Sequence, residues 1–138
     1  MKKILSNKLI CLAVIILIIA SFFRFYNLSK TLMFLDDQGR DVLKAAEILK
    51  EGNIPFIGPM ASIGSLYLGP IYYWAITPFL WLWNFNPVGP AVLVALLGLV
   101  TNLILFFFIF NYFDLISAFL VSFLYALSPL VLQNSRFS

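Results

Sequence analysis

Long apolar runs dominate what this chain can fold into. Leu9 to Phe23 carries no charged side chain, and Val88 to Phe110 repeats the pattern over a longer stretch. At about 1.5 Å per residue, a helix over the second run is long enough to cross a hydrocarbon core of roughly 30 Å. A third run, Leu115 to Leu132, follows Asn111-Tyr112-Phe113-Asp114, which reads as a turn. In lipid every backbone N–H and C=O must be satisfied within the protein, so runs of this kind form helices. Composition agrees. Of the 138 residues 62% are hydrophobic and 11% are charged, with a mean hydropathy of +0.99, whereas soluble domains carry about 25% charged residues. The expected fold is an all-α polytopic membrane protein: transmembrane helices at about 8–26, 88–110 and 115–132, and an external loop with juxtamembrane helices over 27–87.

Lys2, Lys3 and Lys8 precede the first run, and basic residues stay on the cytoplasmic side, so the N-terminus is expected inside and the loop outside. The basic start resembles a signal peptide. Ala20-Ser21-Phe22 is a poor cleavage site, however, and further spans follow, which favours a retained anchor. Arg24, at the end of the first run, is expected to snorkel to the headgroups. Cys11 is the single cysteine, and histidine is absent. Internal disulfides, thiolate metal sites and His-based triads are thereby excluded. The small net charge of +3, with no basic polar surface, gives no reason to expect nucleic acid. Asn27-Leu28-Ser29 matches a glycosylation sequon, but a three-residue pattern beside a membrane carries little weight.

The region from residue 24 to about 65 holds most of the charge. Val42, Ala45, Ala46 and Leu49 recur at helical spacing, so a helix is predicted over about 37–51. Asp36 or Asp37 can cap its start and Gly52-Asn53 can stop it. Asp37, Asp41, Lys44 and Ile48 fall on one face, with the apolar face roughly 100° away. The next apolar stretch, Leu66 to Phe85, is rich in Tyr and Trp and contains Pro70 and Pro78. It reads either as a kinked span or as an aromatic interfacial helix at about 67–84, because Tyr and Trp prefer the headgroup level. The first reading gives four spans and an internal C-terminus, the second three spans and an external one.

Chemistry has few places to reside. Asp36, Asp37, Arg40 and Asp41 gather at a helix N-terminus, where the dipole stabilises anions by about 0.3–1 kcal/mol each. An anionic Asp beside an Arg can accept a proton from an alcohol and position a phosphate-bearing substrate. The structural alternative is ordinary capping and ion pairing. Gly58-Pro59 through Gly69-Pro70 is a constrained connector, or else a wall of a membrane-edge groove in which Tyr72, Tyr73 and Trp74 stack on sugar or lipid. It lacks the Lys and the preceding strand of a phosphate loop.

Taken together these residues resemble the N-terminal part of a GT-C superfamily glycosyltransferase, in the bacterial branch related to protein O-mannosyltransferases and aminoarabinose transferases. The resemblance rests on Phe34-Leu35-Asp36-Asp37-Gln38-Gly39-Arg40-Asp41 after one span, then Ile57-Gly58-Pro59, Ser62-Ile63-Gly64 and Tyr67-Leu68-Gly69-Pro70-Ile71-Tyr72-Tyr73, and finally Ser128-Pro129 before Ser135-Arg136-Phe137. It implies a truncated GT-C-type fold in the plasma (inner) membrane. The implied reaction moves a hexosyl or pentosyl group from a polyprenyl-phosphate donor to a lipid, glycan or protein acceptor on the external face. By the same resemblance Asp37 is the base on the acceptor hydroxyl, and Asp36, the other catalytic candidate, or Asp41 would have to stand in for a second carboxylate. Arg40, Asp41, Tyr72, Tyr73 and Arg136 are substrate-binding. Family members usually have Glu after the catalytic Asp, and Gln38 stands there instead, which puts a two-carboxylate mechanism in question. Some relatives use a divalent metal, so a metal is possible, and no other cofactor is implied. The resemblance also favours the three-span arrangement and an end at Ser138 that truncates the family's later spans; such a piece is expected to be inactive alone. The competing expectation is a small non-enzymatic integral membrane protein, either an assembly partner or a transporter subunit.

Overall fold

A computed structural model describes residues 2–32, 36–60 and 66–135. Among the described residues the chain is helical, with no strand and a single isolated bridge pairing Met60 with Tyr67. The helices are α1 (Lys2–Phe25), α2 (Leu28–Thr31), α3 (Asp36–Glu51), α4 (Ile71–Leu82), α5 (Val88–Tyr112), α6 (Leu115–Leu127) and α7 (Pro129–Asn134). Two of them, α1 over Asn7–Phe25 and α5, are long and apolar enough to cross a membrane. Only 22% and 17% of those stretches is buried, which separates them from the core helix of a soluble protein. Ile10, Ile18, Leu97, Ile104 and Phe108 face outward instead.

The described residues divide into two compact units, one of residues 2–28 with 95–135 and one within 29–94. In the first, Ala13 and Ile16 of α1, Phe106 of α5 and Ala118 of α6 form the core. Alanine at two of these four positions, Ala13 and Ala118, lets the helices approach closely. Asp114 caps α6 by accepting the Ile116 N–H at 3.0 Å and the Ser117 hydroxyl. These bonds hold its carboxyl below the usual carboxylate range.

The expected span over 115–132 is interrupted. Helix α6 ends at Leu127, Ser128 takes φ −58 and ψ 120, and α7 begins at Pro129. Proline has no N–H to give and pushes the residue before it out of the helical region. With 13 residues α6 rises about 20 Å, short of a hydrocarbon core. Arg24 also departs from expectation. It is fully enclosed rather than extended toward headgroups. Its Nη1 donates to the Ala20 carbonyl at 3.4 Å, the guanidinium lies 5.6 Å from the Tyr125 ring centroid, and Nε and Nη2 have no partner. Gly98 supplies the room, since a Cβ there would stand 2.7 Å from Arg24 Nε.

In the second unit α3 packs on α4 through Ala45, Ile48, Tyr73, Ile76 and Leu80, with Leu93 of α5 against them. The helical periodicity was legible, but the inward face is rotated from the expected one. Asp41 and Ile48 turn toward α4 with Ala45, while Lys44 stays exposed and pairs with Glu47 at 2.7 Å. Gly52 closes α3 at φ +72, donating to the Ile48 carbonyl at 2.9 Å, a left-handed stop that glycine takes without steric cost. The aromatic helix is shorter than expected, beginning after Pro70 and ending at Leu82.

Candidate functional site

The site is built on the first two turns of α3 and the start of α4. Asp37 and Arg40 are one helical turn apart, and Asp41 follows Arg40 directly. Arg40 Nη1 meets Asp37 Oδ1 at 3.0 Å, and Arg40 Nε donates to Asp41 Oδ1 at 3.0 Å. The same Asp41 oxygen accepts the Tyr73 hydroxyl at 3.2 Å. One guanidinium therefore joins both carboxylates, and the deeper carboxylate is tied in turn to α4.

The two acids are not equivalent. The Asp41 side chain is 11% exposed, whereas that of Asp37 is 67% exposed. Asp41 thus holds Arg40 from within, and Asp37 presents its carboxylate outward. The hydrogen bond from Arg40 to Asp41 raises the Arg40 pKa above its ordinary value, and the charges of both Asp residues add to this. Burial pushes the Tyr73 phenol up, helped by the adjacent Asp41 charge. Burial is also the main cause of the upward shift of Tyr72.

A cavity of about 380 Å³ opens beside this cluster, lined by Asp37, Arg40, Asp41, Tyr72 and the strap residues Pro59, Met60, Leu68 and Gly69. Two backbone bonds pin the strap, Gly58 N–H to the Leu68 carbonyl at 3.0 Å and Leu68 N–H to the Pro59 carbonyl at 2.9 Å. Gly58 is required by space. A Cβ there would lie 2.6 Å from the Leu68 carbonyl oxygen and collide with that of Gly69. The paired Gly-Pro steps in the sequence were the signal for this wall, and the bridge between Met60 and Tyr67 is what closes it.

Of the residues singled out from sequence, Asp37, Arg40, Asp41 and Tyr72 meet at one cavity. Tyr73 is not among the residues that line this cavity. It is 4% exposed, and its hydroxyl is directed to Asp41. Asp36 opens α3, but its side chain lies outside the described residues, as do Arg136 and the Ser62-Ile63-Gly64 segment. Arg40 lies between Asp37 and Asp41, and among the described residues no group of three His, Cys, Asp or Glu gathers there. Sequence reading missed an apolar groove of about 440 Å³ lined by Ile48, Ile54, Phe56, Trp74, Thr77 and Pro78. Its signal was the apolar trio Ile54, Phe56 and Ile57 placed just beyond a helix stop. Compared with protein-family models, curated proteins and solved structures, the chain matches none.

Proposed function

We propose that this chain carries the acidic external helix of a polytopic membrane glycosyltransferase, with a GT-C-type arrangement, that takes its sugar from a polyprenyl-phosphate donor. The observation that carries the reading is the asymmetry of the acid pair. A buried Asp41, held by Tyr73, fixes Arg40, and Arg40 in turn holds the exposed carboxylate of Asp37 at the mouth of a cavity. In the reaction the acceptor hydroxyl oxygen bonds to the anomeric carbon as the bond from that carbon to the donor phosphate oxygen breaks. The electron pair leaves with the polyprenyl phosphate, and the hydroxyl proton passes to Asp37. Arg40 orients Asp37, and its half-exposed guanidinium is available to a donor phosphate. Tyr72 lines the wall on which a sugar ring can rest.

Helix lengths set α4 apart from α5, and the three-span topology needs α6 and α7 together for its third crossing, since α6 alone falls short of the core. With 12 residues α4 rises about 18 Å, too little to cross a core of roughly 30 Å, which favours the interfacial reading. The basic N-terminus then lies inside, α3 and α4 lie outside, α5 returns inward, and α6 with α7 leads out again.

The testing experiment expresses the complete open reading frame with Asp37→Asn and follows consumption of a polyprenyl-phosphate-linked sugar. Loss of a positioned general base lowers turnover by about 10²–10⁴-fold. Unchanged turnover in a correctly inserted protein would remove Asp37 from the mechanism.

A further inference from the structure

The groove between the end of α3 and α4 has a composition that sets it apart from the acidic cavity. Ile48 forms its floor and Ile54, Phe56 and Trp74 its rims, with Thr77 and Pro78 along α4. The polar groups among these are already engaged. The Thr77 hydroxyl donates to the Tyr73 carbonyl at 2.6 Å, and Trp74 Nε1 donates to the Pro55 carbonyl at 3.1 Å. The second bond also ties the 54–56 segment to α4, so the rim is fixed in place. Among the described residues no charged side chain lines the groove. An occupant therefore has to be apolar, since a polar one would lose its hydration without compensation.

The surroundings identify the occupant. Phe56 is 83% exposed, and Ile54 and Ile57 are exposed beside it, an edge that is costly in water. Within the same compact unit α4 runs directly into the first turns of α5, the helix long and apolar enough to cross a membrane. The link is tight. Phe85 N–H bonds the Leu80 carbonyl at 2.9 Å, Asn86 accepts the Val88 N–H at 3.0 Å, and Gly89 packs on the Phe79 backbone. With 25 residues α5 rises about 37 Å, longer than a hydrocarbon core of roughly 30 Å, so a crossing by α5 leaves turns at its ends at headgroup depth. Trp81 and Trp83, exposed at that junction, are the side chains that prefer this depth.

We propose that this groove seats an acyl chain of a bilayer phospholipid, so that the α3–α4 unit is anchored on the membrane by its Ile54–Phe56 edge as well as through α5. This holds whether or not the acidic cavity transfers sugar. The test uses the protein in phosphatidylcholine vesicles with Trp81→Phe and Trp83→Phe, which leaves Trp74 as the single tryptophan. Acyl-brominated phosphatidylcholine is expected to remove most of the Trp74 emission, while aqueous iodide leaves it nearly unchanged. Adding Ile54→Ser and Phe56→Ser, with helix content checked by circular dichroism, should restore emission in the brominated vesicles. Quenching by iodide and not by brominated lipid would overturn the proposal, because the groove would then face water. Quenching by neither would overturn it too, because a protein segment would then cover the groove.

Discussion

Gly98→Ala probes the enclosed guanidinium of the first unit. The added methyl would sit 2.7 Å from Arg24 Nε, 3.5 Å from Cδ and 3.6 Å from Cζ. Nε lies in the middle of the side chain, and that side chain is fully enclosed, with its end against the Ala20 carbonyl and the Tyr125 ring. It cannot swing aside without moving α1 against α5 or α6. Overpacking of this kind costs about 1–3 kcal/mol. The intrinsic helix preference of Ala over Gly works the other way, by up to about 1 kcal/mol.

The single variant alone mixes these two effects, and a double-mutant cycle separates them. In an Arg24→Ala background the clash is gone, so Gly98→Ala should be neutral or stabilising. The coupling between the two positions is then about 1–3 kcal/mol, in the range measured for residues in direct contact. The assay is reversible unfolding in mixed micelles for the wild type, both single variants and the double variant. If Gly98→Ala has the same effect in both backgrounds, Arg24 does not occupy the space beside Gly98, and the enclosure argument fails. A related expectation concerns Arg24→Met. It should cost little or even stabilise, because it removes an enclosed charge with unpartnered donors while keeping much of the volume.

In a Cys11→Ser background, Asn53→Cys should react with an impermeant thiol reagent added outside, and Asn111→Cys only after permeabilisation. The reverse pattern would invert the proposed orientation. Alkaline pH should destabilise the α3–α4 packing. Because burial raises the Tyr73 and Tyr72 phenols, the folded chain holds those protons more tightly than the unfolded one. That stability is fully present below the ordinary tyrosine pKa of about 10 and is lost as pH rises through the folded values. Lys44, raised by its bond to Glu47, titrates in the same direction, so comparing Tyr73→Phe with the wild type in unfolding-midpoint scans isolates the phenol. An unchanged alkaline limb in Tyr73→Phe would show that Tyr73 contributes nothing to it.

Much of the fold could be read from apolar run length and from glycine and proline. Helices α1 and α5 follow from charge-free runs, the end of α3 from Gly52, and the start of α4 from Pro70. The break at Ser128 was also written in the sequence, because Pro129 biases its predecessor away from helix, yet the continuous hydropathy of the run hid it. What could not be read depended on the partner across each contact. Arg24 looks like any basic residue at a helix end until Gly98 and Tyr125 are known to flank it. The roles of the acidic cluster divided in the same way. Spacing brought Asp37, Arg40 and Asp41 together, but only the packing of α4 made Asp41 a buried anchor and left Asp37 exposed. Tyr73, a stacking candidate by composition, became a hydrogen-bond donor for the same reason.

The proposed function rests on that division between the two carboxylates, and one comparison tests it most directly. Membranes bearing the complete open reading frame, as wild type, Asp37→Asn and Asp41→Asn, are matched for inserted protein, and release of sugar from a polyprenyl-phosphate donor is followed in each. Asp37→Asn should lower kcat by about 10²–10⁴-fold, as loss of a general base does. Asp41→Asn, which keeps an amide oxygen for Tyr73 and Arg40, should retain a larger share of turnover. Full turnover in Asp37→Asn, or a loss confined to Asp41→Asn, would contradict the account.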